Sequence, residues 1–200
     1  VVFRVHTGSF SSKSIDNESI EIKLNVEWVY HPTQDLCVTP LKPILDAIKE
    51  RNGKEIFYTA IDKTISYPRD RFTEFSAVED VLMVGYPIGL WDANNNYPLF
   101  RRGITASHPA VDFKDENKEI TVDSIGVVDM ACFPGSSGSP IFVYYPASHV
   151  DKAKNSVVLG SQLVFLGVLF SGPRMRADGT ITIQNIPTGQ VAFTTTPVMI

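Results

Sequence analysis

The apolar residues of this 200-residue chain come in short runs, rich in β-branched and aromatic side chains and bounded by Gly, Pro, Asn and Asp. Residues 1–5, 81–84, 120–122, 157–168 and 180–183 are such runs, and in 20–29 Ile20, Ile22, Leu24 and Val26 alternate with polar neighbours. Alternation at period two puts every second side chain on one face, which suits a half-buried strand and not a helix. Many short strands with turn residues between them predict an all-β sandwich or barrel. One segment departs from this. Residues 43–52 open on Pro43, carry Ile44, Leu45 and Ile48 on one helical stripe and run into Gly53. Proline in the first turn and glycine just past the end predict one short amphipathic helix there. The polar stretch after it reads as a connecting loop. The expected organisation is an N-terminal β lobe over 1–60, a connector over 61–79 and a C-terminal β lobe over 80–200.

Charge and cysteine content narrow the function classes. Eighteen basic and twenty-two acidic residues give a net charge of −4 without a block of either sign. A nucleic-acid partner calls for a basic stripe, and the pair Arg101-Arg102 is too short to make one. No run of about 18 apolar residues is present, so no membrane-spanning helix is expected. The chain starts Val1-Val2-Phe3 without a signal-peptide pattern and reads as the interior of a longer polypeptide, which leaves export open. Cys37 and Cys132 make neither a disulfide framework nor a metal-ligand spacing. They read as small buried hydrophobes, and reduced thiols lean towards a cytosolic setting. No metal or cofactor is implied, and nothing bears on oligomeric state.

The segment richest in chemistry is Asp129-Met130-Ala131-Cys132-Phe133-Pro134-Gly135-Ser136-Ser137-Gly138-Ser139-Pro140. A hydroxyl nucleophile needs exposure, a general base beside it and N–H donors aimed at the oxyanion formed on attack. Small residues around Ser137 let a substrate carbonyl approach the backbone, and the Gly135 and Ser137 N–H groups could bind the oxyanion together. Taken as composition alone, the run is equally a Gly/Ser-rich turn. It is not the nucleophile elbow of α/β-hydrolases. Ser139 stands where that motif needs Gly, and strand-like Ile141-Phe142-Val143-Tyr144 follows where it needs a helix.

Gly135–Pro140 resembles the G-[DN]-S-G-[GS]-P signature around the catalytic serine of trypsin-like peptidases, with Ser136 replacing the usual Asp or Asn. Four further stretches resemble that family in the same order. Asp35-Leu36-Cys37-Val38 is similar to the run holding the triad aspartate. Val84-Gly85-Tyr86-Pro87-Ile88-Gly89-Leu90 is similar to the turn opening the second barrel in HtrA-like bacterial members. Arg102-Gly103-Ile104-Thr105-Ala106-Ser107 resembles the hairpin strand after it. The run from Phe165 through Phe170 to Gly172 resembles the strand that pairs with substrate backbone.

The resemblance implies two antiparallel β-barrels with the active site between them, and a bacterial serine endopeptidase acting on peptide or protein substrates. It implies Ser137 as nucleophile, Asp35 as triad carboxylate, Gly135 and Ser137 as oxyanion donors, and Ala131, Phe170 and Gly172 as substrate-binding residues. Ala131, by register at the base of the primary specificity pocket, carries no charge, so a small or apolar substrate side chain is expected there. The triad base does not fit any histidine comfortably. His31 reads as turn chemistry before Pro32, His108 and His149 fall in the second lobe, and His6 reads as a strand-end residue, although its spacing to Asp35 keeps it an outside candidate. The base is therefore expected upstream of Val1, with the first barrel lacking its opening strands and the chain by itself nearly inactive. The alternative functions are a non-catalytic relative using the scaffold to bind a peptide or partner, and an esterase on another fold.

Overall fold

The computed structural model describes residues 2–9, 14–23, 25–114, 124–152 and 154–172. Its largest element is an antiparallel five-stranded sheet. The strands are β5 (Asp80–Gly85), β6 (Leu99–Thr105), β7 (Val128–Asp129), β8 (Pro140–Tyr145) and β11 (Gln162–Val168), in the spatial order β11-β8-β5-β6-β7. Three two-stranded hairpins accompany it: β1 (Val2–Ser9) with β2 (Ser14–Lys23), β3 (Val29–Tyr30) with β4 (Cys37–Val38), and β9 (Ser148–Asp151) with β10 (Ser156–Leu159). The protein is β-rich as its periodicity predicts. Among the described residues the sheet is open, with β11 and β7 at its two ends.

Pairing explains where strands depart from their apolar runs. The alternating run at 20–29 supplies the end of β2, where Lys23 pairs with Val2, and the strand extends back ahead of the run to Ser14, opposite Ser9 of β1. The run at 157–168 divides at Gly160, whose φ of 123° and N–H bond to the Ala147 carbonyl turn the chain from β10 into β11. The runs at 120–122 and 180–183 lie outside the described residues.

The helix α1 spans Leu41–Asn52. It starts two residues before Pro43, whose missing N–H falls in the first turn, where no intrahelical acceptor exists. Gly53 ends it at φ 65°, donating its N–H to the Lys49 carbonyl at 2.8 Å, the left-handed closure that glycine adopts without a Cβ penalty. Ile44 and Ile48 bury one face with Ile56, and Ile20, Val26, Leu45 and Ala47 pack around them.

The sheet has its own core: Val81 and Met83 from β5, Ile141 and Val143 from β8, and Val164 from β11. The connector contributes to it. A 3-10 turn at Arg69–Glu74 lays Phe72 and Phe75 into this core, their rings 5.5 Å apart. Two aromatic side chains, each stabilising by roughly 1.5–3 kcal/mol when fully buried, make this stretch a packed part of the fold as well as a link. Gly103 matters for a different reason. A Cβ there would collide with the Asp129 carbonyl and the Met130 side chain, so its absence lets the chain leaving β7 lie directly on β6.

The contact pattern divides the chain at Phe170, and residues 171–200 form a separate unit. No described helix is long and apolar enough to cross a membrane.

Candidate active site

The loop from Phe133 to Ser139 sits between β7 and β8, and two other segments fix its shape. On one side is the turn that follows β5. Tyr86 leads into a short 3-10 turn, Pro87–Gly89, in which Ile88 has φ 49° and ψ 25°. A β-branched residue in left-handed conformation is an outlier that surrounding contacts must hold. Here the Ile88 N–H donates to the Pro134 carbonyl at 2.7 Å. On the other side is the chain leaving β11: Gly138 N–H donates to the Leu169 carbonyl at 2.6 Å, and Leu169 N–H to the Ser139 carbonyl at 2.9 Å.

Glycine is required at two points of this assembly. Gly135 has φ 86°, and a Cβ there would lie 3.2 Å from the Ile88 nitrogen. Gly85, opposite Ser139 in the continued β5–β8 register, leaves the room that the buried Ser139 side chain fills.

Within the loop, the N–H groups divide into two sets. Ser136 N–H donates to the Phe133 carbonyl at 3.1 Å and Ser139 N–H to the Ser136 carbonyl at 3.1 Å, closing two successive turns. Among the described residues the N–H groups of Gly135 and Ser137 have no acceptor. Ser137 is exposed, and its hydroxyl donates to the Phe170 carbonyl over 3.4 Å, a long contact that leaves the oxygen lone pairs open. Ser136 faces inwards, 1% exposed, with a hydroxyl that has no partner among the described residues.

The remaining sequence-derived residues fall as follows. Asp35 is exposed at the tip of the β3–β4 hairpin, where His31 N–H donates to the Leu36 carbonyl at 2.8 Å. No hydrogen bond or ion pair joins Asp35 to Ser137 among the described residues. Ala131 is exposed and follows β7, its carbonyl accepting from Arg101 Nη1 at 2.5 Å. Phe170 closes the first compact unit and Gly172 belongs to the second.

The histidines have local roles. His31 Nδ1 accepts the Gln34 N–H at 3.1 Å, as its position before Pro32 predicts. His108 Nδ1 accepts the Ala110 N–H at 3.1 Å, and His149 stacks on Tyr145 with centroids 5.4 Å apart. The backbone of His6 pairs with Ser19 inside the β1–β2 hairpin. The two cysteines are free and exposed rather than buried. Cys37 stands in the exposed β3–β4 hairpin. Cys132 is exposed as a residue, yet burial around its sulfur pushes the thiol above its ordinary value, with Arg101 pulling it back.

Two arrangements escaped the sequence. The buried Glu79 carboxylate accepts the Ser76 N–H at 2.5 Å and the Tyr145 hydroxyl at 2.9 Å, while its own N–H donates to Thr105 Oγ1 at 2.8 Å. Burial first, and then this bond to Glu79, hold the Tyr145 phenol well above its ordinary value. The other is Arg101, whose guanidinium carbon lies 4.3 Å from the Phe133 ring centroid besides its bond to Ala131. Strand alternation was the available signal for it. Adjacent arginines on a strand must face opposite ways, so Arg101 and Arg102 could never act as one basic patch.

Compared with protein-family models, curated proteins and solved structures, the chain finds no match.

Proposed function

We propose that this chain is a trypsin-like serine endopeptidase, hydrolysing peptide bonds through an acyl-enzyme on Ser137. The observation that carries the reading is the pairing of an exposed Ser137 hydroxyl with two backbone donors, Gly135 and Ser137 N–H, that have no acceptor among the described residues. In the reaction Ser137 Oγ attacks the peptide carbonyl carbon and passes its proton to the base. The two N–H groups receive the oxyanion, and the departing amine takes the proton. Water then hydrolyses the ester by the same steps, restoring Ser137. Loss of one oxyanion donor typically costs roughly 2.7–4 kcal/mol of transition-state stabilisation.

In this reading the five-stranded sheet belongs to the second of two antiparallel barrels. In the same reading Asp35 is the carboxylate that orients the triad imidazole. The order of the Asp35, Gly85–Leu90, Arg102–Ser107, Gly135–Pro140 and Phe165–Gly172 stretches supports the same conclusion. A fluorophosphonate probe is expected to label the full-length protein at Ser137, and Ser137→Ala to abolish labelling. Equal labelling of the alanine variant refutes the assignment. No labelling of the native protein favours the second reading, a non-catalytic scaffold that binds a peptide or partner.

A further inference from the structure

We infer that Arg101 makes the site select an acidic substrate side chain, Glu or Asp, at the residue whose carbonyl Ser137 attacks. This rests on the peptidase reading and names its substrate class. Ala131 by itself suggests a small or apolar preference, but the charge at this position comes from another strand.

The placement follows from β6. Its side chains alternate, with Phe100, Arg102 and Ile104 on the exposed face and Leu99, Arg101 and Gly103 on the half-buried one. Arg102 is spent on the exposed face, where its guanidinium holds Asp80 at 2.8 Å. Gly103 lets residues 129 and 130 lie against the half-buried face, so the chain passes over Arg101 as it runs towards the Ser137 loop. There Arg101 Nη1 donates to the Ala131 carbonyl at 2.5 Å and the guanidinium carbon lies over the Phe133 ring, 4.3 Å from its centroid. Phe133 in turn accepts the Ser136 N–H. Arg101 is thereby held beside the entry to the nucleophile loop, six residues in sequence from Ser137 through Ala131.

Its charge is not neutralised. Arg69, Arg71 and Arg102 each meet a carboxylate, whereas Arg101 meets none among the described residues. A guanidinium has five N–H donors in a rigid fork, and one of them serves Ala131. The others suit a carboxylate in bidentate geometry, and the bond to Ala131 with the contact over the Phe133 ring restrains the fork in advance. A carboxylate reaching the exposed Ala131 meets that fork. A lysine side chain there meets a like charge, and an apolar one leaves the guanidinium without its partner.

The test uses peptides identical except for Glu, Gln, Leu or Lys at the residue that donates the attacked carbonyl. Cleavage by the full-length protein and binding to its Ser137→Ala variant are both measured. Glu is expected to exceed its isostere Gln by about tenfold or more in each, and Arg101→Met to bring that ratio near one. Arg101→Lys, which keeps the charge without the fork, retains a reduced preference for Glu. A role confined to holding the loop would lower every peptide equally and leave the ratio alone. A Glu:Gln ratio near one in the native protein, or one that Arg101→Met leaves unchanged, overturns the inference. Probe labelling of Ser137 separates the two readings. Labelling without an Arg101-dependent ratio refutes only the acidic preference, and an Arg101-dependent binding ratio without labelling refutes only the peptidase.

Discussion

Substituting Gly85 by alanine perturbs the Ser137 loop from underneath, without touching any group assigned to chemistry. Gly85 ends β5 opposite Ser139, and a Cβ added there would stand 3.0 Å from Ser139 Cβ and closer still to Ser139 Oγ. Carbon pairs settle at about 3.5–4.0 Å, so the two segments must separate by roughly 0.5–1 Å. Overpacking of this kind costs about 1–3 kcal/mol. The φ of Gly85 is not in the left-handed region, so alanine adds no backbone strain and recovers about 0.4–1 kcal/mol through the unfolded state. The net expectation is a loss of about 1–2 kcal/mol, which for a chain of this size lowers Tm by about 2–8 °C. Thermal unfolding of the two single variants and the double variant measures it. Ser139→Ala in the Gly85→Ala background removes the closer of the two clashes and should return part of the loss. Because the displaced residue lies two positions from Ser137, probe labelling should slow in Gly85→Ala and recover in the double variant. Unchanged stability in Gly85→Ala, or additive effects with no coupling between the sites, would refute the reasoning.

Ser136→Ala removes a hydroxyl that is buried without a partner among the described residues, a group whose desolvation costs about 1–3 kcal/mol. It should therefore raise Tm by a few degrees and leave Ser137 labelling intact, and a fall in Tm would count against that view of the loop. Tyr145 governs behaviour in alkali. Its pKa in the fold is raised, so its contribution is complete below the unfolded tyrosine value of about 10 and declines as pH climbs beyond it. Stability followed against pH by denaturant titration should drop above pH ~10. Tyr145→Phe should remove part of that slope while destabilising the chain at neutral pH, where Glu79 loses a donor. An unchanged alkaline slope in the variant would exclude Tyr145 as its source.

Local rules carried some of the fold and stopped where long-range pairing took over. The helix was legible because Pro43, the Ile44–Ile48 stripe and Gly53 are neighbours in sequence and act within a few residues. Strand limits were less so. β2 reaches back to Ser14 because β1 pairs with it as far as Ser9, which no alternation within 20–29 records. The polar look of the connector concealed Phe72 and Phe75, two side chains whose burial depends on β5, β8 and β11 passing beneath them. Likewise the loop residues around Ser137 were recognisable as a motif, but the dependence on Ile88 and Leu169 came only with the turns that meet there. Arg101 is the sharpest case. Beside Arg102 in the sequence it looks like half of a basic pair, while its placement depends on which face of β6 it occupies and on the missing Cβ of Gly103 two residues on.

Among the described residues the helical cluster and the sheet core share no side chain, the first resting on three buried residues and the second on seven. Cooperativity passes between regions through shared packing, so these two should open at different free energies, the smaller one first. Asp35 lies in the same N-terminal stretch as the smaller cluster, in a hairpin whose Val29, Tyr30 and Val38 are exposed, while the Ser137 loop is anchored on the sheet. On the proposed reading, warming would loosen the orienting carboxylate while the nucleophile and its oxyanion donors still stood in place. Heat would silence such an enzyme before it unfolded it.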